Sequence, residues 1–257
     1  MHRSLLSGLA AYGRVPATLV RHGLWPYQLL PAFISLLLAV GLFAGCWFSA
    51  SALHDWFDGL IEVSVDWLDT TLSVGMSVLT FIALLAAFVF VHKHLALIIL
   101  SPFLGRIAEE TVKAIKGPEF AKSELTFGQS LARSTGVNLR YIVRELFANF
   151  LFLLCGFLPV VGSLISASGM FLTQSRYLGY GLMDFPLEHR GLSVKESDDF
   201  VRRHRALSTG LGAGYLLLMM IPFIGWMFAP TFGTVAGTLK ALEALDEGPG
   251  AEGSLPV

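Results

Sequence analysis

Ionisable side chains are scarce in this chain, so each cluster of them is a candidate for chemistry. His92, Lys93 and His94 stand together at the end of a long apolar run. Residues two apart on a helix point in different directions, so the two histidines cannot share one metal ion. The triplet reads as a basic anchor whose side chains snorkel to the cytoplasmic surface. Arg106, followed three and four residues on by Glu109 and Glu110, reads as a helical ion pair, and Arg106 and Glu109 are also candidates to line the inner mouth of an ion path. In "VRHGLWPYQLLP", residues Arg21, His22, Gly23 and Leu24 precede a helix start, where free N–H groups and the positive end of the dipole suit an anion. Pro26 removes one donor there, and Trp25 is of the type that anchors a helix at a membrane interface, so anchor and anion site are both open readings.

Catalytic signatures are absent from the sequence. It has no phosphate-cradling glycine loop, no zinc-ligand spacing and no Gly-x-Ser-x-Gly elbow, so neither an enzyme nor a cofactor or metal is expected. Cys46 and Cys155 lie inside apolar segments and read as small buried hydrophobes. The formal net charge of −1 gives no reason to expect nucleic acid as a partner.

The elements that must position these clusters are membrane elements. Of 257 residues, 54% are hydrophobic and only 14% charged, against about 25% charged in a soluble domain; mean hydropathy is +0.65. No charge occurs over residues 29–53 or 70–91. Each run reaches the ~20 residues that cross a hydrocarbon core, which predicts spans at 29–53 and 70–100, after an amphipathic segment at 1–27. No cleavable signal pattern precedes them, so the spans themselves are expected to target the protein.

All 18 Lys and Arg avoid the stretch between His22 and His92, while the loop between the spans carries Asp55, Asp58, Glu62, Asp66 and Asp69. The positive-inside rule puts the N-terminus and everything after His92 in the cytoplasm and the acidic loop outside. Acids three and four apart, with Trp56, Leu60, Val63 and Trp67 on the other face, predict a short surface helix over 54–69; a solvated loop is the plainer alternative.

Two later apolar segments are interrupted alike, "FLPVVGS" at Pro159 and Gly162 and "MIPFIGW" at Pro222 and Gly225. The 13 uncharged residues 146–158 make only about 20 Å of helix, too little to cross. Were each segment one kinked span, the stretch carrying Arg190, Lys195, Arg202, Arg203 and Arg205 would lie outside, against the rule that orients the first two. Re-entrant hairpins at 146–182 and 206–242, with the Pro-x-x-Gly pairs as tips, keep every basic block cytoplasmic. Such tips must be buried in protein or line a polar cavity. The region 101–145 is expected to be helical and cytoplasmic, with Gly117 as a C-cap, 183–205 to be a cytoplasmic loop, and 246–257 to be a disordered tail.

"FLPVVG", "GLMDFPLEHRGLSVKE", "MIPFIGWMFAPTFGTVAGTL" and "SPFLGRIAEE", in their order along the chain, resemble the CysZ-type sulfate permease family. The resemblance implies an all-α integral membrane protein with two long transmembrane helices and two partly penetrating helical pairs. It also implies homo-oligomeric assembly in the inner membrane and sulfate uptake for cysteine synthesis. The family's sulfate site is a Gly-Leu/Ile-Arg-Arg motif before the first span; here Gly23 and Leu24 are followed by Trp25 and Pro26, with Arg21 just upstream. The function expected is thus a permease or channel for sulfate or a related small anion. The alternative is a non-transporting membrane organiser of the same fold.

Overall fold

The computed structural model describes residues 2–58, 66–120, 126–156 and 161–246, and all the described elements are helices. Helix α1 (His2–Arg21) lies on α8 and α9. Its Ala11, Val15 and Leu19 are fully buried at four-residue intervals, the stripe a helix turns towards protein when its other face meets something else. Two long helices follow, α2 (Trp25–Asp58) and α3 (Asp66–Ile99), and they pack on each other. Within α2 the stretch Trp25–Ser49 is long and apolar enough to cross a membrane, yet only 22% of its most apolar window is buried by protein. Phe33, Leu37, Trp47 and Phe48 are all exposed, a surface that lipid, not water, can cover.

The two ends of the acidic surface helix expected over 54–69 belong to the long helices. Residues up to Asp58 continue α2 and those from Asp66 begin α3, while 59–65 lie outside the described residues. After Leu100 the chain bends by 67° into α4 (Ser101–Lys116), with Pro102 in its first turn where a missing N–H costs nothing. As expected, Gly117 caps α4, at φ +105. A single 3-10 turn, Pro118–Phe120, follows.

Helix α5 (Phe127–Cys155) opens on a capping box, Thr126 with Gln129. It runs unbroken through residue 146, where the sequence placed the start of a hairpin arm. It packs along α6 (Val161–His189), where Phe152 meets Gly169, Tyr141 meets Tyr180 and Arg133 meets Asp184, so the two helices run antiparallel. Pro159 lies outside the described residues; Gly162 is buried in the first turn of α6. The stretch 183–205, expected to be a loop, is largely helical. Helix α6 continues to His189, and Ser193 with Glu196 forms a capping box that starts α7 (Val194–Arg203).

Helix α8 (Arg205–Met219) and helix α9 (Ile224–Asp246) are joined across Met220–Phe223. The chain doubles back there, since Gly225 abuts the Leu218 carbonyl and Gly233 abuts Tyr215. Pro222 is in the turn and Phe223 takes a left-handed φ of 60, a strained value held by its surroundings. The Trp226 indole closes the turn by donating to the Met219 carbonyl at 3.1 Å, and its own carbonyl accepts from Ser35 Oγ of α2 at 2.6 Å.

Helices α6 and α8 form the most extensive contact in the bundle. Their backbones touch because Gly179 meets the Ser208 carbonyl and Gly212 meets the Ser175 carbonyl, with no room for a Cβ at either. Small residues bring membrane helices together in this way where the hydrophobic effect offers no help.

Candidate functional site: a buried ionic cluster at the end of α3

Successive residues on a helix are turned by about 100°, so His92, Lys93 and His94 leave α3 towards different neighbours. His92 is fully buried, stacks on Phe88, and its Nε2 lies 3.3 Å from the Ser35 carbonyl of α2. Lys93 is fully buried on the side of α5 and α6, where its ammonium donates to Glu145 Oε1 and, at 3.1 Å, to Gln174 Oε1. His94 lies 3.2 Å from the other Glu145 oxygen. Glu145 has no solvent exposure. The triplet is therefore not a snorkelling anchor. The two histidines do diverge, as helical geometry requires, but Lys93 and His94 share one buried carboxylate.

Charge held inside a bundle of this kind is costly and persists where it is paired. Three helices contribute here: the lysine and histidine from α3, the carboxylate from α5 and the amide from α6. Gln174 and Glu145 carried no signal in the sequence, because nothing in their local spacing marks them and their partner on α3 is 81 and 52 residues away. The arrangement gives a cation one protein carboxylate and one amide oxygen, in a setting where a second anion can compete for it.

A second network sits further along α5 and α6. Arg133 donates to Asp184 Oδ1 at 3.0 Å, to the Leu192 carbonyl at 2.8 Å and to Ser197 Oγ at 3.2 Å, and its Nε lies 3.4 Å from Glu188. It ties α5, α6 and α7 into one body.

The sequence-nominated residues are spread over two places. Arg21, His22 and Gly23 are exposed at the α1–α2 junction, and Leu24 is buried. The Leu24 amide donates to the Leu19 carbonyl and the Gly23 amide to Val20, with Gly23 at φ +64. This is the Schellman closure of α1, and it occupies the Gly23 and Leu24 amides. What stands exposed at the junction is the Arg21 guanidinium beside the His22 ring. Trp25 packs edge-on against Phe228 and Phe232, at 6.4 and 6.5 Å between ring centres. One turn on, Gln28 is fully buried, with neither side-chain amide atom hydrogen-bonded among the described residues. On α4, Arg106 is exposed and does not pair with Glu109 or Glu110. Lys113 takes both, at 2.6 and 3.1 Å. Burial would raise the Glu109 carboxyl, but the hydrogen bond and charge of Lys113 outweigh it and hold it below the usual range.

Its described elements all helical, with an apolar, lipid-suited α2 and paired charges buried between helices, the chain is of the class of α-helical membrane proteins. The chain is a member of the family described as Sulfate transporter CysZ/Etoposide-induced protein 2.4, whose pattern matches residues 11–230 and so includes every residue of the buried cluster. It is 31% identical to the sulfate transporter CysZ of Pseudomonas fluorescens over 84% of each chain. It is 25% identical to that of Pseudomonas paraeruginosa over 90% of this chain and 92% of the relative. Against that of Pectobacterium atrosepticum it is 23% identical, over 81% of this chain and 74% of the relative.

Proposed function

We propose that this protein is a multi-pass inner-membrane permease or channel for sulfate or a related small anion, supplying sulfate for cysteine synthesis. The observation that carries the reading is the Lys93 ammonium, enclosed between Glu145 and Gln174 with no exposure to solvent. An anion passing between α3, α5 and α6 exchanges with Glu145 for that ammonium, and Gln174 holds the lysine in place during the exchange. The names of the relatives support sulfate as the anion.

In this reading α2 and α3 span the membrane, and the α5–α6 and α8–α9 pairs enter and leave on the cytoplasmic side, with Pro159 and Gly162, and Pro222 and Gly225, at their tips. Arg21 and His22 attract the anion to the α1–α2 junction by charge, and Arg106 and Glu109 lie at the inner mouth. Flux follows the existing gradient, through an oligomer of identical chains.

Isotopic sulfate uptake into liposomes containing the purified protein is the test. Uptake above protein-free liposomes is expected, reduced in Arg21→Ala and abolished in Lys93→Met/Glu145→Leu. Wild-type liposomes that take up no sulfate would overturn the transport reading in favour of a membrane organiser, which the occupied amides at Gly23 and Leu24 would then fit.

A further inference from the structure

A second place in the molecule is built for an anion. Tyr141 lies one helical turn before Glu145 on α5, and Tyr177 lies one turn after Gln174 on α6, so both continue the faces that carry the buried cluster. Between them opens a cavity of about 290 Å³, lined by Arg144 of α5, Arg176 of α6, Arg202 of α7 and Arg205 of α8, with Asp198 as its one carboxylate. That is several times the ~30 Å³ a water molecule takes up in the liquid.

The four arginines are not equally committed. Arg202 pairs with Asp198 at 3.0 Å, and Arg144 lies over the Tyr141 ring at 5.7 Å. Arg176 and Arg205 have neither a carboxylate nor a ring partner among the described side chains. Three neutral donors of the lining are engaged, Tyr180 weakly, to the Val194 carbonyl at 3.5 Å. Tyr141 donates to Asp198 at 2.6 Å and Ser208 to the Arg176 carbonyl at 3.3 Å. Beside the Tyr177 hydroxyl, the free donors in the cavity are guanidinium groups, which stay charged at any working pH and present a planar fork matched to an oxyanion. Helix α8 starts at Arg205 with no side-chain cap, so the positive end of a 15-residue helix adds to the same field.

The glycine contacts that lock α6 to α8 hold Arg176 and Arg205 near each other. The mutual repulsion of the four guanidinium groups, offset by Asp198 in the lining and at Arg202 also by Asp199, is relieved by a bound anion. We infer that this cavity binds a tetrahedral oxyanion, held chiefly by Arg176 and Arg205 with Arg144 beside them. Its position one turn from the Lys93–Glu145 pair makes it a cytoplasmic station of the permeation path, a role that rests on the transport reading; the binding itself does not. Sulfate in solution and the phosphate of a lipid headgroup share this chemistry.

The test is calorimetric titration of the full-length protein in neutral detergent with sodium sulfate, and separately with inorganic phosphate, followed by sulfate titration in nanodiscs of zwitterionic lipid with and without phosphatidylglycerol. The wild type should bind sulfate, and Arg176→Gln/Arg205→Gln should bind it at least about ten-fold more weakly. Arg176→Lys should retain part of the affinity, and Lys195→Gln, an exposed cation on α7 outside the cavity, should retain all of it. Unchanged melting temperatures show that the arginine variants still fold. Sulfate affinity that does not respond to the double substitution overturns the assignment, as does affinity lost only in Arg21→Ala. If phosphatidylglycerol displaces sulfate only while Arg176 and Arg205 are present, the resident oxyanion is the lipid's; if it does not, the cavity takes the free ion. Arginine-dependent binding without uptake sinks the transport reading and leaves the site standing. Uptake without arginine-dependent binding does the reverse.

Discussion

Lys93 of α3 and Glu145 of α5 meet side chain to side chain with no solvent exposure on either, and His94 reaches the second oxygen of the same carboxylate. Removing one partner of a buried pair leaves the other uncompensated, typically at 3–5 kcal/mol. Lys93→Met should fall near the lower end, about 3 kcal/mol, because His94 remains beside Glu145. Replacing both, as Lys93→Met/Glu145→Leu, should recover most of the loss. Thermal unfolding in detergent of the two single variants and the double gives the coupling directly. A double variant no more stable than Lys93→Met would show that the pair is not an energetic unit.

The glycine contacts between α6 and α8 make a sharper demand. A methyl group at Gly179 or Gly212 meets backbone carbonyl oxygen, which cannot move without moving a helix. Gly179→Ala and Gly212→Ala should each cost roughly 1–3 kcal/mol through overpacking. Gly41→Ala, on α2 with open space around it, should be neutral or gain up to about 1 kcal/mol from helix propensity. Melting temperatures that fall equally for all three would show that α6 and α8 are not in backbone contact.

How much of this could be read from the chain depends on the range of the signal. The apolar stretch of α2, the α4 C-cap at Gly117 and the turn around Pro222 follow from local composition, and the sequence shows them. The capping boxes at Thr126 and Ser193 are equally local, but they extend helices into stretches expected to be a hairpin boundary and a loop. Lys113 lies four residues after Glu109 and Arg106 three before it, both within reach on a helix, and only the packing of α4 decides which of the two Glu109 meets. The buried cluster was not legible. Its members are separated by 51 and 81 residues, and no periodicity records which faces of α3, α5 and α6 will meet. For the same reason four arginines scattered from Arg144 to Arg205 gave a topology but not a cavity.

The topology can be checked on α7. Lys195 and Asp199 are exposed there, whereas Ser197 is fully buried against Arg133 and is unsuited to labelling. In a Cys46→Ser/Cys155→Ser background, Lys195→Cys and Asp199→Cys should resist an impermeant thiol reagent added to intact cells and react once the membrane is opened. Labelling from outside as ready as that of Ser64→Cys, in the acidic loop between α2 and α3, would put α7 on the wrong face for two re-entrant pairs.

Asp198 gives a prediction in pH. Burial alone would raise its carboxyl, but hydrogen bonds from Tyr141 at 2.6 Å and Arg202 at 3.0 Å, with the charges of Arg202 and Arg144, outweigh that and leave it below the usual aspartate value. A carboxylate depressed in the folded protein adds stability that is fully present above its unfolded value of about 3.9 and is lost as pH falls through the folded value. The wild type should therefore melt higher than Asp198→Asn at pH 6 to 7, and the gap should close below about pH 4. Asp198→Asn also removes the carboxylate in the lining of the cavity, so its sulfate affinity at neutral pH should rise while its stability falls. Opposite signs from one substitution separate the two roles of Asp198. A variant that loses both stability and sulfate affinity at pH 7 would mean that Asp198 organises the cavity and that its charge does not oppose the anion.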